Sequence, residues 1–153
     1  MLDGGPLTGP QIVGVARKKA TVEISDQAIE LMEAARKTVS QAVSSNKATY
    51  GINTGFGALS TTRIEPDKLT ELQMNLLRSH AAGVGDPLDK EIVRGMMVLL
   101  AASLCRGHSG ARPLVATCII EMLNAGVTPV IPSRGSVGAS GDLAPLAHLA
   151  LVL

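Results

Sequence analysis

The residues best suited to chemistry in this sequence lie in the run GSVGASGDLAP at positions 135–145. Its three glycines are evenly spaced, and glycine permits backbone conformations and close approaches that other residues do not; they are Gly135, Gly138 and Gly141. Ser140 is therefore expected on a bend that leads into an apolar helical segment. Asp142 follows where a first-turn carboxylate complements the helix dipole.

Two familiar uses of a glycine-rich bend do not fit this spacing. A dinucleotide-binding fingerprint requires G-x-G-x-x-G after a strand, whereas the order here is G-x-x-G-x-x-G after Pro132-Ser133-Arg134. A nucleophile elbow requires G-x-S-x-G, and the residue two positions after Ser140 is Asp142. Neither a nucleotide fold nor a serine hydrolase is indicated.

A third chemistry uses the backbone of Ala139-Ser140-Gly141 itself. The amide nitrogen of Gly141 can attack the carbonyl carbon of Ala139, and loss of two waters leaves an imidazolone that carries an exocyclic methylene. The small alanine, the β-hydroxyl of serine and the missing Cβ of glycine each suit this reaction, but a planar trans peptide resists it unless the loop is compressed. A glycine-rich helix entry that only turns the chain or binds an anion remains the alternative at this point.

These residues resemble the signature of the ammonia-lyase and aminomutase family whose electrophile is methylidene-imidazolone (MIO). The resemblance extends over nearly the whole chain. Its motifs occur in the family's order: Leu2-Asp3-Gly4 with Leu7-Thr8, YGINTGFG at 50–57, LQMNLLRSHAAGVG at 72–85, RGHSGARP at 106–113 and GSVGASGDLAPLAHLALVL at 135–153.

The resemblance implies elimination of ammonia from an aromatic L-amino acid, with histidine, giving trans-urocanate, as the first expected substrate. Tyrosine or phenylalanine lyases and aromatic aminomutases remain alternatives. The MIO would form autocatalytically from Ala139, Ser140 and Gly141, and Tyr50 matches the catalytic base. This is the only tyrosine of the chain, and it lies beside a polar loop with the only phenylalanine, Phe56.

Substrate contacts are expected from four further residues of the same motifs. Ser79-His80 matches the pair that contacts the substrate side chain and is typical of histidine-specific members, although some tyrosine aminomutases look similar there. Asn53 and Gly57 are expected to position the site. No pair of histidines or cysteines has zinc-ligand spacing, so no metal is expected. His108 and His148 are interpreted as turn and helix histidines.

Composition indicates a mainly α chain. At 153 residues the length suits one domain, and the core must be aliphatic because hydrophobic residues make up 46% of the chain and aromatic residues only 1%. We expect residues 1–153 to form a single helical domain with short strands and a Gly-rich active-site loop. This domain would be the MIO-bearing N-terminal portion of a larger helical-bundle enzyme.

The net charge and the two cysteines bear on which partners and which cellular compartment are expected. The formal charge of +1 does not indicate a basic surface that would bind nucleic acid or an anionic membrane. No apolar run reaches the length of about 18 residues that a membrane span needs. Cys105 and Cys118 lack CxxC spacing and are expected as reduced, buried thiols in a cytoplasmic protein.

The last segment of the sequence, residues 143–153, is apolar except for His148 and has no helix-capping residue at its end. A missing C-terminal part of the same enzyme is therefore an expected partner. The family also implies a homotetramer with shared active sites, and an inactive fragment that serves as a structural or assembly partner is the alternative of another class.

Periodicity and capping residues predict the elements that position these motifs. The predictions are helices from Thr8 to Lys18, from Ser25 to Ser44, from Pro66 to Ser79, from Leu88 to Arg106, from Pro113 to Asn124 and from Leu143 onward; strands at 20–24 and 49–52; and a break at 81–87.

Overall fold

The computed structural model describes residues 1–45, 47–135 and 143–153. Within those ranges the chain is mostly helical, as the composition predicts. The α-helices are α1 (Gly9–Lys18), α2 (Asp26–Ser44), α3 (Leu69–His80), α4 (Lys90–Leu104), α5 (Pro113–Asn124) and α6 (Leu143–Ala150), and the strands are β1 (Val84–Pro87) and β2 (Pro132–Arg134). The two strands pair antiparallel.

Helix ends follow the capping signals of the sequence. Ser25 precedes α2, and its hydroxyl oxygen accepts a hydrogen bond from the Ala28 N–H at 3.2 Å. Gln11 Oε1 accepts hydrogen bonds from the Thr8 N–H and the Thr8 hydroxyl before α1, both at 2.8 Å. Pro66 opens a short 3₁₀ turn that continues into α3. These local contacts satisfy N–H groups that have no partner within the helix.

The core lies around α4, which contacts both α1 and α5. Met97 and Ala101 of α4 and Ile119 of α5 are fully buried. Burial of one large aliphatic side chain contributes about 1.5 to 3 kcal/mol, so an aliphatic core holds these helices together. Although α4 is strongly apolar, it is not buried on all sides, because Ile92 and Leu99 are half exposed.

The guanidinium of Arg94 joins the ends of two helices inside this core. Arg94 is 4% exposed and donates to the Val15 carbonyl from Nε at 3.3 Å and from Nη2 at 2.9 Å. Its Nη1 donates to the Leu123 carbonyl at 3.0 Å. Both carbonyls belong to last helical turns, of α1 and of α5, where the regular N–H donors of the helix end and a cation is favourable.

Residues 20–24 do not form the predicted strand. Among the described residues, one isolated bridge between Leu2 and Ile24 is their strand-like contact. The side chain of Asn124 replaces the missing partner strand, since it accepts from the Val22 N–H and donates to the Val22 carbonyl, both at 2.9 Å. Two other predictions also need correction, because α4 is shorter than expected and the break at 81–87 contains β1.

Candidate active site

Tyr50 lies on a tight turn and not on the strand predicted at 49–52. The Thr49 carbonyl accepts the N–H groups of Ile52 and Asn53, both at 3.1 Å. Gly51 has a φ of +73°, in the left-handed region that glycine adopts without strain. A turn of this kind is incompatible with an extended strand, and it leaves the Tyr50 side chain 64% exposed.

Asn53 holds this turn from inside. Its side chain is 1% exposed; Oδ1 accepts from the Thr49 N–H at 2.7 Å, and Nδ2 donates to the carbonyls of Lys47 at 3.0 Å and Ala42 at 3.3 Å. Both the amide oxygen and the amide nitrogen are thus bonded to backbone. Asn53 is therefore bonded to the backbone segment that leads into Tyr50.

The remaining residues of the loop place the second aromatic ring beside the first. The Phe56 and Tyr50 rings meet edge to face, with centroids 5.9 Å apart and an interplanar angle of 71°, the arrangement that aromatic quadrupoles favour. Gly57 is exposed, has a φ of +56° and begins the 3₁₀ turn Gly57–Leu59. Gly57 thus shapes the loop through its backbone.

Ser79 and His80 close the last turn of α3. His80 Nδ1 lies 2.8 Å from the Leu76 carbonyl oxygen, and because a carbonyl only accepts, Nδ1 carries the proton in this contact. The Ser79 hydroxyl donates to the same carbonyl at 2.9 Å and lies 3.1 Å from His80 Nδ1. The neutral His80 ring consequently keeps Nε2 as a hydrogen-bond acceptor.

Tyr50 and His80, 30 positions apart in the sequence, line one cavity of about 540 Å³. We call it the Tyr50–His80 cavity. Phe56 also lines it, and the other lining residues are aliphatic: Leu76, Leu77, Leu100, Leu104, Val115, Leu143, Leu146, Ala147, Ala150 and Leu153. A volume of this size with apolar walls and few polar groups is typical of small-molecule sites. Phe56 is an aromatic lining residue outside the predicted site residues, and its place in the same motif as Tyr50 is the sequence signal for it.

The other predicted site residues do not appear in the described lining of this cavity. Ser79, Asn53 and Gly57 are not among the residues that line the Tyr50–His80 cavity. Asn53 bonds the backbone of the turn that carries Tyr50, Ser79 contacts His80, and Gly57 begins the 3₁₀ turn of the same loop. Ala139, Ser140 and Gly141 lie outside the described residues. The cavity lining includes Leu143, the first residue of α6 and the second after Gly141. The roles assigned to all of these residues stay predictions.

The remaining histidines and cysteines have ordinary surroundings. His108 is exposed, and His148 accepts a hydrogen bond from a backbone N–H. Both cysteines are free: Cys105 is buried and Cys118 half-buried. Burial raises the pKa of the Cys105 thiol, because a thiolate is poorly solvated there.

No cluster of His, Cys, Asp and Glu side chains that could hold a metal ion occurs within residues 1–45, 47–135 and 143–153. In the same ranges, every helix is too short or too polar to cross a bilayer.

Comparison with known proteins assigns the chain to a family. The family described as aromatic amino acid lyase matches residues 7–153. Histidine ammonia-lyase of Streptococcus gordonii is 48% identical over 150 residues, which cover 98% of this chain and 29% of that protein. The chain therefore belongs to the aromatic amino acid lyase family, and it spans under a third of the length of its curated relatives.

Solved structures agree with this assignment. Histidine ammonia-lyase from Trypanosoma cruzi is similar with a TM-score of 0.87 and 46% identity, covering 98% of this chain and 28% of that one. Tyrosine aminomutase from Streptomyces globisporus has a TM-score of 0.91 and 36% identity, covering 97% of this chain and 28% of that one. The helical fold predicted from composition and resemblance is thus confirmed.

Proposed function

We propose that this chain supplies part of the active site of a carbon–nitrogen lyase that converts L-histidine into trans-urocanate and ammonia. The observation that carries the proposal is the presence of Tyr50 and His80 in one largely apolar cavity. A deprotonated phenol can take a proton from carbon, an imidazole can recognise a polar ring, and apolar walls can enclose the rest of an aromatic amino acid.

Tyr50 acts as the general base in this proposal. Its phenolate takes a proton from the substrate β-carbon, the electron pair of that C–H bond forms the Cα–Cβ double bond, and the Cα–N bond breaks to release ammonia. The edge-to-face contact with Phe56 and the turn held by Asn53 fix the direction of the phenol. Positioning of this kind is needed because a base must lie within hydrogen-bond reach of the proton it removes.

His80 recognises the substrate ring. With Nδ1–H held by the Leu76 carbonyl, Nε2 is free to accept a hydrogen bond from the N–H of a histidine substrate, directly or through water. Phenylalanine offers no such donor, and a buried acceptor left unpaired costs about 1 to 3 kcal/mol. Ser79 supports this preference because its hydroxyl bonds the same Leu76 carbonyl.

The triad Ala139-Ser140-Gly141 fits the remaining requirement of the reaction, an electrophile on the amine side of the substrate. Leu143, the second residue after Gly141, lines the cavity, so the triad is close in sequence to one wall of the cavity. When formed from these residues, MIO supplies an electrophile for the substrate amine, which is otherwise a poor leaving group.

The same proposal includes a homotetramer in the cytoplasm and a C-terminal part that completes each site. It is supported by coverage of under a third of each relative and by the two free thiols. It also fits the cavity itself: its described lining places the leucines of α3, α4 and α6 around the two polar side chains of Tyr50 and His80, whereas elimination needs further groups to bind the substrate carboxylate.

The test is a comparison of kcat/KM for histidine, tyrosine and phenylalanine with the complete polypeptide. We expect histidine to be eliminated most efficiently, and His80→Leu to lower histidine turnover without affecting formation of the imidazolone. A preference for phenylalanine would contradict the histidine assignment. Accumulation of β-amino acids would replace it with aminomutase activity, in line with the similarity to tyrosine aminomutase. Absence of all turnover in the folded complete protein would favour an assembly role.

A further inference from the structure

The loop that follows α3 is tied to α6 by one hydrogen bond between distant parts of the chain. The Gly83 N–H donates to His148 Nε2 at 3.0 Å across 65 residues of sequence. Gly83 lies three residues after His80, and the N–H groups of Ala81 and Ala82 bond to Leu77 and His80 carbonyls of α3. The His148 ring is therefore joined to the end of the helix that carries His80.

The direction of this bond fixes the state of the His148 ring. A backbone N–H only donates, so Nε2 must be the unprotonated nitrogen and the neutral ring carries its proton on Nδ1. A methionine at this position has similar length but offers only a weak sulfur acceptor, whereas the glutamine amide oxygen is a full acceptor. A comparison of methionine with glutamine at position 148 therefore distinguishes the effect of the hydrogen bond from the effect of side-chain packing.

The backbone around this bond leaves no room for side chains. A Cβ at Gly83 would lie 2.9 Å from His148 Nε2 and 3.1 Å from the Pro132 Cβ. A Cβ at Gly135 would lie 3.0 Å from both the Gly83 Cα and the Ala144 Cβ. Contacts this short require something to move, so the end of α3, strand β2 and helix α6 meet at close quarters. We call this meeting point the Gly83 junction, formed by Gly83, Gly135, Ala144 and His148.

The Gly83 junction connects two walls of the Tyr50–His80 cavity. Helix α3 contributes His80 and two leucines to the lining, and α6 contributes Leu143, Leu146 and Ala147. Helices α3 and α6 contact each other, and α3 has no buried residue of its own. Because no residue of α3 is fully buried, the contacts at its ends contribute to holding it in position relative to α6.

We propose that His148 is a positioning residue: through the Gly83 N–H it holds the α3 wall, and with it His80, at a fixed place opposite α6. Its effect on catalysis rests on the proposed function, because it acts through the His80 side chain that recognises the substrate. His148 itself bonds the backbone. As a result of this bond, the His80 side chain is already in place when substrate binds.

The test compares His148→Met with His148→Gln in the complete enzyme, with rates expressed per imidazolone-containing subunit. Loss of one hydrogen bond should raise KM for histidine about fivefold in His148→Met, while His148→Gln stays within about twofold of the parent. A purely structural role would lower the folded fraction of both variants and leave KM unchanged. Equal KM values in the parent and both variants would overturn the proposal.

Amide hydrogen exchange of the peptide that contains Gly83 provides a readout independent of catalysis. Exchange at this N–H should be faster in His148→Met and restored in His148→Gln, and unchanged exchange in His148→Met would refute the hydrogen bond as an anchor. If the parent enzyme shows no turnover, the proposed function fails, and exchange alone still decides the role of His148. Should His148→Met not fold, Gly83→Ala, whose Cβ needs the space of the His148 ring, is expected to raise KM likewise, and a parental KM there would contradict the proposal.

Discussion

Replacement of Asn53 by alanine is expected to disorder the turn that carries Tyr50 while the helical core stays folded. The substitution removes three side-chain hydrogen bonds, to the Thr49 N–H at 2.7 Å and to the carbonyls of Lys47 at 3.0 Å and Ala42 at 3.3 Å. Each such bond contributes about 1 kcal/mol net, so the turn loses about 2 to 3 kcal/mol when water replaces some of the partners. The affected backbone is local, because all three partners lie within residues 42–49.

The assay is kcat of the complete enzyme together with its thermal denaturation midpoint. We expect kcat to fall by about tenfold to a hundredfold in Asn53→Ala, equivalent to about 1.4 to 2.7 kcal/mol. Asn53→Asp should be at least as damaging, because its carboxylate accepts from Thr49 but faces the two carbonyl oxygens without a donor. Asn75→Ala, at an exposed asparagine of α3, is the matched control and should be neutral. Parental kcat in Asn53→Ala would refute this account of the turn.

Three further substitutions test other parts of the molecule. Tyr50→Phe should keep the fold and the imidazolone but lower kcat by about 10² to 10⁴, and near-normal turnover would remove this phenol from the mechanism. Arg94→Met removes the three hydrogen bonds that the guanidinium donates to the carbonyls of Val15 and Leu123, so the free energy of unfolding in urea should fall by about 2 to 3 kcal/mol; a change under about 0.5 kcal/mol, the usual range for surface positions, would show that the bonds are dispensable. Burial raises the pKa of the Cys105 thiol above 9.0, so the unfolded chain loses this proton at lower pH, and stability should decrease as pH rises through 9.0. Cys105→Ala should lack that part of the decrease in stability at alkaline pH. Identical pH profiles of stability in the parent and the variant would contradict this role of Cys105.

The helices were predictable because their signals are local. Ser25 and Pro113 mark helix starts that the structure confirms, and the glycines after α4 and α5 mark helix ends. The predicted strands failed for a different reason. The segment at 20–24 pairs with the side chain of Asn124, 102 residues from Val22, and no window of sequence contains both partners.

The same distinction holds for the candidate site. Motif resemblance identifies Tyr50 and His80, yet only the fold brings them to one cavity. The motif resemblance does not indicate that the Asn53 side chain is hydrogen-bonded to backbone through both its oxygen and its nitrogen. Nor does it indicate that His148 accepts a hydrogen bond from Gly83. The buried role of Arg94 is equally hidden, because in the helical pattern of α4 it resembles a solvent-exposed arginine. These contacts depend on packing between elements distant in sequence.

The most direct test of the proposed chemistry is the mass of the peptide spanning residues 135–153, isolated from the complete folded enzyme. The proposal requires a mass two waters below the encoded value, because cyclisation and dehydration of Ala139-Ser140-Gly141 remove two waters. Ser140→Ala should give a peptide that has not lost the water of the serine hydroxyl and an enzyme with almost no elimination. An unmodified peptide from the folded, assembled parent enzyme would contradict the central claim.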